Sequence, residues 1–495
     1  MEYNSADIFC PVITKEVFMP GFTPGRRWQP AYYAFHNDTL PKKALATLER
    51  LTKSPFFGCR MCGNCLLQET AFICPMECPK GLRNGPCGGS TPEHCYVDET
   101  RPCIWYKIYE RSEKLGRNDK LLEVLPPLDW EKVGTEQWWD LASMWKKKGG
   151  LKKTFKALAS RDRMAIFEHF MKEYRQPEWW QGDDQPHPAP AHEPVSKLEE
   201  KLAGGKFVIT AEVAPPIGAS GADLIKKVTM LKEYVDAVNF TDNPSATPRM
   251  SSLASCTLCM QAGVEPVLQI AARDTNRMGV QATVLGANAL GIRNMLCLSG
   301  DHPHLGPAPH GRMDIWDLDS VQLIWLLRRM RDEGHFLDQR EIKPAPQIFI
   351  GAASSPNASQ PRFQIIRETK KTNAGAQFFQ TNLIYDVDKF KEYLEMLDKA
   401  GIMGRAYILA GVAPIRSAKA AMMMNKVPGV VIPQKIIDRL EKSADAKEEG
   451  VQIGLEIIQG IKDLPINGIH FMAVGWESIV PRLITESGLQ ERRSM

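Results

Sequence analysis

Beyond residue 197 the chain alternates short, β-branched apolar runs with longer stretches of helical period. Runs apolar throughout, without strict alternation, mark strands covered on both faces, as in a parallel sheet sheathed by helices. The pattern predicts strands over 207–213, 237–241, 266–271, 294–299, 347–351, 376–380, 406–410 and 468–473, with helices such as 222–234, 283–290, 318–331, 361–372 and 389–399 between them. Eight such units in about 300 residues predict an α/β fold, a (β/α)8 TIM barrel. A doubly wound open sheet is the alternative, but no Gly-x-Gly-x-x-Gly follows the first strand.

The first 184 residues read differently: an N-terminal arm, a cysteine-rich segment, and a Trp/Lys-rich helical stretch over 129–174. The lysines of that stretch read as a solvated face and its tryptophans as packed on the next domain. A linker at 185–196, with four prolines between Gln185 and Pro194, separates this α-rich region from the barrel at 197–495. A net charge of +4 on 495 residues gives no case for nucleic acid. No apolar run is long enough to span a membrane.

Eight of the 12 cysteines fall in one short segment: Cys59, Cys62, Cys65, Cys74, Cys78, Cys87, Cys95 and Cys103. The first residues lack a basic start followed by an apolar run, so a cytoplasmic, reducing compartment is expected and a disulfide framework is disfavoured. Metal is the remaining reading. Two consecutive Cys-x-x-Cys steps bring three thiolates near one point, and Cys74 and Cys78 each precede proline, as in iron–sulfur proteins. Zinc takes the same spacing, and a purely structural zinc knot is the plainer alternative. Eight thiols serve either two sites or one site with several free cysteines. Cys256 and Cys259 form a further Cys-x-x-Cys, read as buried thiols on a helix. The loop from Asp301 to Gly311, with three histidines and three prolines, reads as a stiff substrate-covering loop and not as a second metal site.

In a barrel of this type, chemistry sits at the C-terminal ends of the strands. Those ends give Glu212, Thr241 and Asp242, Gln269 with Arg273 and Asp274, Asp301, Ser354 and Ser355, Asn382, Gly411 and His470. Two isolated carboxylates, Glu212 after the first strand and Asp301 after the fourth, stand out as candidate acid–base groups.

At these residues the chain resembles the methylenetetrahydrofolate reductase family. Val208-Ile-Thr-Ala-Glu212-Val-Ala-Pro-Pro216 is similar to its first-strand motif, and Leu298-Ser-Gly-Asp301-His-Pro303 to its fourth-strand turn. Asn373-Ala-Gly-Ala376, Gly411-Val-Ala-Pro414 and Gly468-Ile-His-Phe471 follow in the family's order. The segment Cys74-Pro-Met-Glu-Cys78-Pro-Lys-Gly-Leu-Arg-Asn-Gly-Pro-Cys87-Gly-Gly89 resembles the small partner subunit of the acetogen-type enzymes, here fused ahead of the barrel.

The resemblance implies flavin-dependent reduction of 5,10-methylenetetrahydrofolate, or the reverse oxidation. Glu212 would be the catalytic acid, and Asp301 the carboxylate facing pterin and flavin. It further implies flavin contacts from Thr241, Asp242, Gln269, Arg273, Lys371 and His470, and substrate contacts from Asn382 and Gln380. FMN is favoured over FAD, because His470-Phe-Met-Ala-Val-Gly475 departs from the best-known branch near the flavin's adenosine end. The cysteines would hold an iron–sulfur cluster, [4Fe-4S], with zinc as the alternative. Electrons would come from a protein donor, a ferredoxin or an NADH-oxidising subunit, and an oligomer is expected. The competing reading is a non-catalytic folate- or methyl-carrier-binding assembly protein with structural zinc, which the presence of Glu212 and Asp301 disfavours.

Overall fold

A computed structural model of the chain describes residues 39–133, 192–307 and 317–494, with isolated positions between 135 and 187. Residues 185, 186 and 188–191 of the expected linker and most of the Trp/Lys-rich stretch lie outside the described residues, as does His310.

Eight parallel strands close into a barrel: β1 (Val208–Val213), β2 (Ala237–Phe240), β3 (Pro266–Ala271), β4 (Asn294–Leu298), β5 (Phe349–Ser354), β6 (Phe378–Leu383), β7 (Tyr407–Val412) and β8 (Gly468–Phe471). Each pairs with its successor, and β1 closes on β8 with Val208 opposite Gly468 and Ala211 opposite Phe471. The β3 bounds match the hydrophobic pattern. β5, β6 and β7 begin and end later than it predicts, because burial begins in the turn before the ladder does. Ala376 and Gln377 are buried, but Gln377 uses its side chain to accept the Ile350 N–H at 3.0 Å.

Around the barrel run α4 (Ala222–Leu231), α5 (Ser252–Gln261), α6 (Arg277–Ala289), α7 (Ser320–Asp332), α8 (Pro361–Ala374) and α9 (Val387–Lys399). Then come α10 (Ala418–Met424), α11 (Gln434–Lys442), α12 (Ala446–Ile461), α13 (Val480–Glu486) and α14 (Leu489–Ser494). Three of these, α10 to α12, share the single connection between β7 and β8. α8 ends at Gly375, whose φ of 116° lies where a side chain is strained, and whose Cα faces the Arg328 stem. Cys256 and Cys259 are fully buried on α5, as the sequence suggests. None of the described helices is long and apolar enough to cross a membrane.

Inward-facing side chains stack in layers of different character. Val208, Ala237, Val267, Leu296, Phe349, Phe378 and Leu409 make an apolar base, plugged from below by Leu198 and Leu202 of α3 (Lys197–Ala203). Above it lies a buried polar layer. Asn239 Nδ2 donates to Gln380 Oε1 at 2.6 Å, Gln380 Nε2 reaches Thr210 Oγ1 at 3.3 Å, and Thr210 pairs with His470 Nδ1 at 2.8 Å. The next layer up, holding Glu212, Thr241 and Asn382, opens to the mouth.

The cysteine module covers that mouth. Its described residues include the α-helices α1 (Leu40–Phe57) and α2 (Ile104–Lys114), with mostly turns between them. Tyr109 of α2 packs on Phe363 of α8 with ring centroids 5.1 Å apart, and Trp105 Nε1 donates to the Leu82 carbonyl at 3.1 Å. Asp319 receives the Arg83 N–H and the Asn84 amide on Oδ2, each at 3.0 Å, while its Oδ1 accepts the Val321 and Gln322 N–H groups that start α7. Arg367 of α8 donates to the Pro86 carbonyl, and Arg277 Nη2 to the Leu128 carbonyl at 2.6 Å.

A buried carboxylate with four donors loses a helix cap and a domain contact together when truncated. Asp319→Ala should lower unfolding stability by about 2–4 kcal/mol and speed protease cleavage between module and barrel. Urea denaturation with limited proteolysis checks both, and an unchanged midpoint would contradict the contact's importance.

Candidate active site

The mouth holds a cavity of about 270 Å³ lined by the ends of β2 to β5 and by the module. Thr241, Asp242, Gln269, Arg273, Asp301 and Lys371 all face it. Glu212 stands behind Gln269, whose Nε2 donates to Glu212 Oε2 at 3.0 Å. Burial raises the Glu212 pKa, and the Gln269 hydrogen bond opposes that rise.

Asp242 is likewise raised by burial, although its Oδ2 accepts the Ala271 N–H at 3.0 Å. Arg273 is buried and fastens the loops together, bonding Asp274 Oδ1 at 2.7 Å, the Asn243 carbonyl at 3.0 Å and the Asp301 carbonyl at 3.2 Å. The Asp301 carboxylate accepts the Ser245 N–H at 3.0 Å. Below the cavity Lys371 donates to the Ala353 carbonyl and pairs with Glu368 at 3.0 Å. Burial pulls its pKa down to about 8 against that carboxylate.

Three of the expected site residues are held elsewhere. Gln380 and His470 belong to the polar layer inside the barrel, and neither lines the cavity. Burial holds His470 near a pKa of about 3, so its ring is neutral. Asn382 spends its amide on the Pro428 carbonyl at 2.9 Å and on its neighbour's Leu383 N–H at 2.8 Å. In the loop after β4, His302 Nδ1 accepts the His304 N–H at 3.1 Å, and burial lowers the His302 pKa to about 4.

The cavity suits a flavin on two counts. The Thr241 hydroxyl is buried with no hydrogen-bond partner, and so is Nε of Arg367. Lys80, Arg367 and Lys371, all largely buried, bring three cations to one wall, where an anionic group would be welcome. Arg367 lies one helical turn before Lys371 and was legible from that spacing. Lys80 and Tyr96 come from the module, and no local signal in the sequence assigns them to the barrel's mouth.

The eight cysteines separate into two sets of four. Cys59, Cys62, Cys65 and Cys74 line one void of about 20 Å³, and Cys78, Cys87, Cys95 and Cys103 another of about 10 Å³. Within each set the thiols perturb one another: Cys74 feels Cys62 and Cys59, and Cys103 feels Cys87 and Cys78. Burial first, then thiolate repulsion, pushes Cys59 up to about 11 and both Cys78 and Cys103 to about 12. Cys87 is the exception. Burial would raise it, but Lys80, the Ser90 hydroxyl and Arg367 together bring it below the usual thiol value. Among the described residues no three His, Cys, Asp or Glu side chains are close enough to hold a metal ion as they stand. A deprotonated, metal-bound set would replace this mutual repulsion with a common attraction.

Comparison with known proteins bears on both parts of the chain. Residues 197–488 match the family model "Methylenetetrahydrofolate reductase", and residues 40–131 match "Methylene-tetrahydrofolate reductase C terminal". Methylenetetrahydrofolate reductase 1 of Schizosaccharomyces pombe is 27% identical over 219 residues, covering 42% of this chain and 33% of that protein. A probable NADPH-type methylenetetrahydrofolate reductase of Caenorhabditis elegans is 24% identical over 316 residues, covering 60% and 44%. The 5,10-methylenetetrahydrofolate reductase of Salmonella typhimurium is 20% identical over 251 residues, covering 50% and 78%. The chain thus spans between a third and a half of the first two of these relatives. With the whole barrel matched by one model and the module by a second, the chain belongs to the methylenetetrahydrofolate reductase family.

Proposed function

We infer that the chain is a flavin-dependent enzyme interconverting 5,10-methylenetetrahydrofolate and 5-methyltetrahydrofolate. The observation that carries the reading is Glu212, a carboxyl of raised pKa hydrogen-bonded to Gln269, which itself lines a cavity that also carries Lys80, Arg367 and Lys371. A flavin bound there, FMN by preference, supplies the hydride chemistry. Thr241, Asp242, Gln269 and Arg273 would surround it, and Lys371 with Arg367 would neutralise its phosphate.

Opening the five-membered ring of the methylene substrate breaks the bond from N10 to the one-carbon unit, so N10 needs a proton. Glu212 keeps its proton to higher pH than an exposed glutamate and can deliver it. The N5 iminium that results is cationic, and the Asp301 carboxylate stabilises it by charge while accepting from the pterin. Gln269 holds the Glu212 carboxyl in place throughout and keeps it hydrogen-bonded in either protonation state. In the oxidative direction the same glutamate takes the proton back.

The two sets of four cysteines would each hold a metal centre, [4Fe-4S] in this reading, receiving electrons from a protein donor such as a ferredoxin or an NADH-oxidising subunit. Four soft thiols around one void are the donor set that such clusters, and zinc, require. Cys87 lines both its own void and the mouth cavity, which supports a second set lying beside the proposed flavin.

Two outcomes follow. Glu212→Gln should retain flavin but lose roughly 10²- to 10⁴-fold in folate turnover. In the unsubstituted protein the reductive rate should fall as pH rises through the elevated Glu212 pKa, a limb absent from the variant. Turnover at the ordinary rate in Glu212→Gln would remove the proposed acid. Anaerobically purified protein should contain iron, and Cys62→Ser and Cys78→Ser should each lose about half of it. Zinc in place of iron would leave the module with a structural role.

A further inference from the structure

The barrel furnishes the cavity with carboxylates, amides and cations, but with no flat apolar face. Among the described residues lining it, the single aromatic is Tyr96, and Tyr96 belongs to the cysteine module. Its position is built on both sides. The Tyr96 N–H donates to Ser90 Oγ at 3.1 Å, and the preceding Cys95 N–H donates to the Arg101 carbonyl at 2.8 Å. The ring lies against Gly89, 3.2 Å from where a Cβ would stand, and Gly89 itself rests on Pro428 of the barrel. One residue earlier, Gly88 sits where a Cβ would come within 2.6 Å of Ser355 Oγ. The glycine pair therefore lets the module's backbone settle on the mouth with the tyrosine facing inward. Tyr96 and Asp301 both line the cavity, so ring and carboxylate border the same space.

We propose that Tyr96 is a substrate-positioning residue: its ring forms one side of a slot, with Asp301 at the edge, that receives the planar heterocycle of the folate. The inference rests on the folate reading of the site. A pterin has a polar rim and two flat faces, and a slot with an acceptor at its edge and an aromatic on its face meets both. The substrate site is then composite, and the barrel alone lacks one of its walls.

The test uses the full chain, purified anaerobically, with 5-methyltetrahydrofolate binding followed by calorimetry for Tyr96→Phe, Tyr96→Leu and Tyr96→Ala. Phe should bind as the unsubstituted protein does. Leu and Ala should raise Kd roughly tenfold with flavin and metal contents unchanged and with the rate at saturating folate little altered. Leu binding as tightly as Tyr, or Phe binding as weakly as Leu, overturns the proposal, and that pair decides even if the Ala variant does not fold. An unsubstituted protein that binds no 5-methyltetrahydrofolate would instead sink the folate reading beneath it.

Discussion

One buried carboxylate holds the two halves of the molecule in register. Asp319 gives one oxygen to the first turn of a barrel helix and the other to the module's Arg83 and Asn84. Four N–H donors compensate the desolvation of a single charge, which neither half could provide alone. The helix start is thus fixed by the same group that fixes the module, and the mouth cavity lies directly beside both. Arg367 repeats the device from the other side, reaching Pro86 from the helix that also carries Lys371.

Within the barrel, polarity rises in steps from base to mouth. The apolar base supplies the burial that closes the sheet. The polar layer above it, Thr210, Asn239, Gln380 and His470, is costly unless every member is hydrogen-bonded, and hydrogen bonds link all four. That layer lies beneath the one that holds Thr241, while the cavity above remains open to a ligand. The gradient lets the barrel be stable below and reactive above.

The sequence announced the barrel because eight covered strands leave an apolar rhythm that no other short segments interrupt, and it brought Thr241, Asp242, Gln269, Arg273 and Asp301 to one cavity because strand ends project to one rim, with Glu212 behind Gln269. Lys371, on α8, was implied by the family resemblance alone. It misdirected on His470 and Gln380 for a reason of pitch. Inward residues recur every second position, and these two fall one layer below the rim. Asn382 is at the right height, but the loop carrying Pro428 claims its amide, a tertiary contact with no trace in its neighbours. The division of the eight cysteines into fours was also hidden. Cys74 and Cys78 look like one motif along the chain and yet face different voids. Lys80 and Tyr96 were beyond reach for the same reason as Asn382: nothing within the module's own sequence says which surface it will cover.

Cys87 belongs to two enclosures at once, a thiol-lined void and the mouth of the barrel. A thin partition of this kind separates traffic. In the proposed reading, reducing equivalents approach through the protein from the thiol side, while a folate enters from solvent. The donor and the carbon substrate would then never contend for the same volume, as a dissolved nicotinamide and a folate must when both reach one flavin face. Saturation by either would leave the other's access untouched, and the module's cover would shut out water from the side on which no small molecule needs to pass.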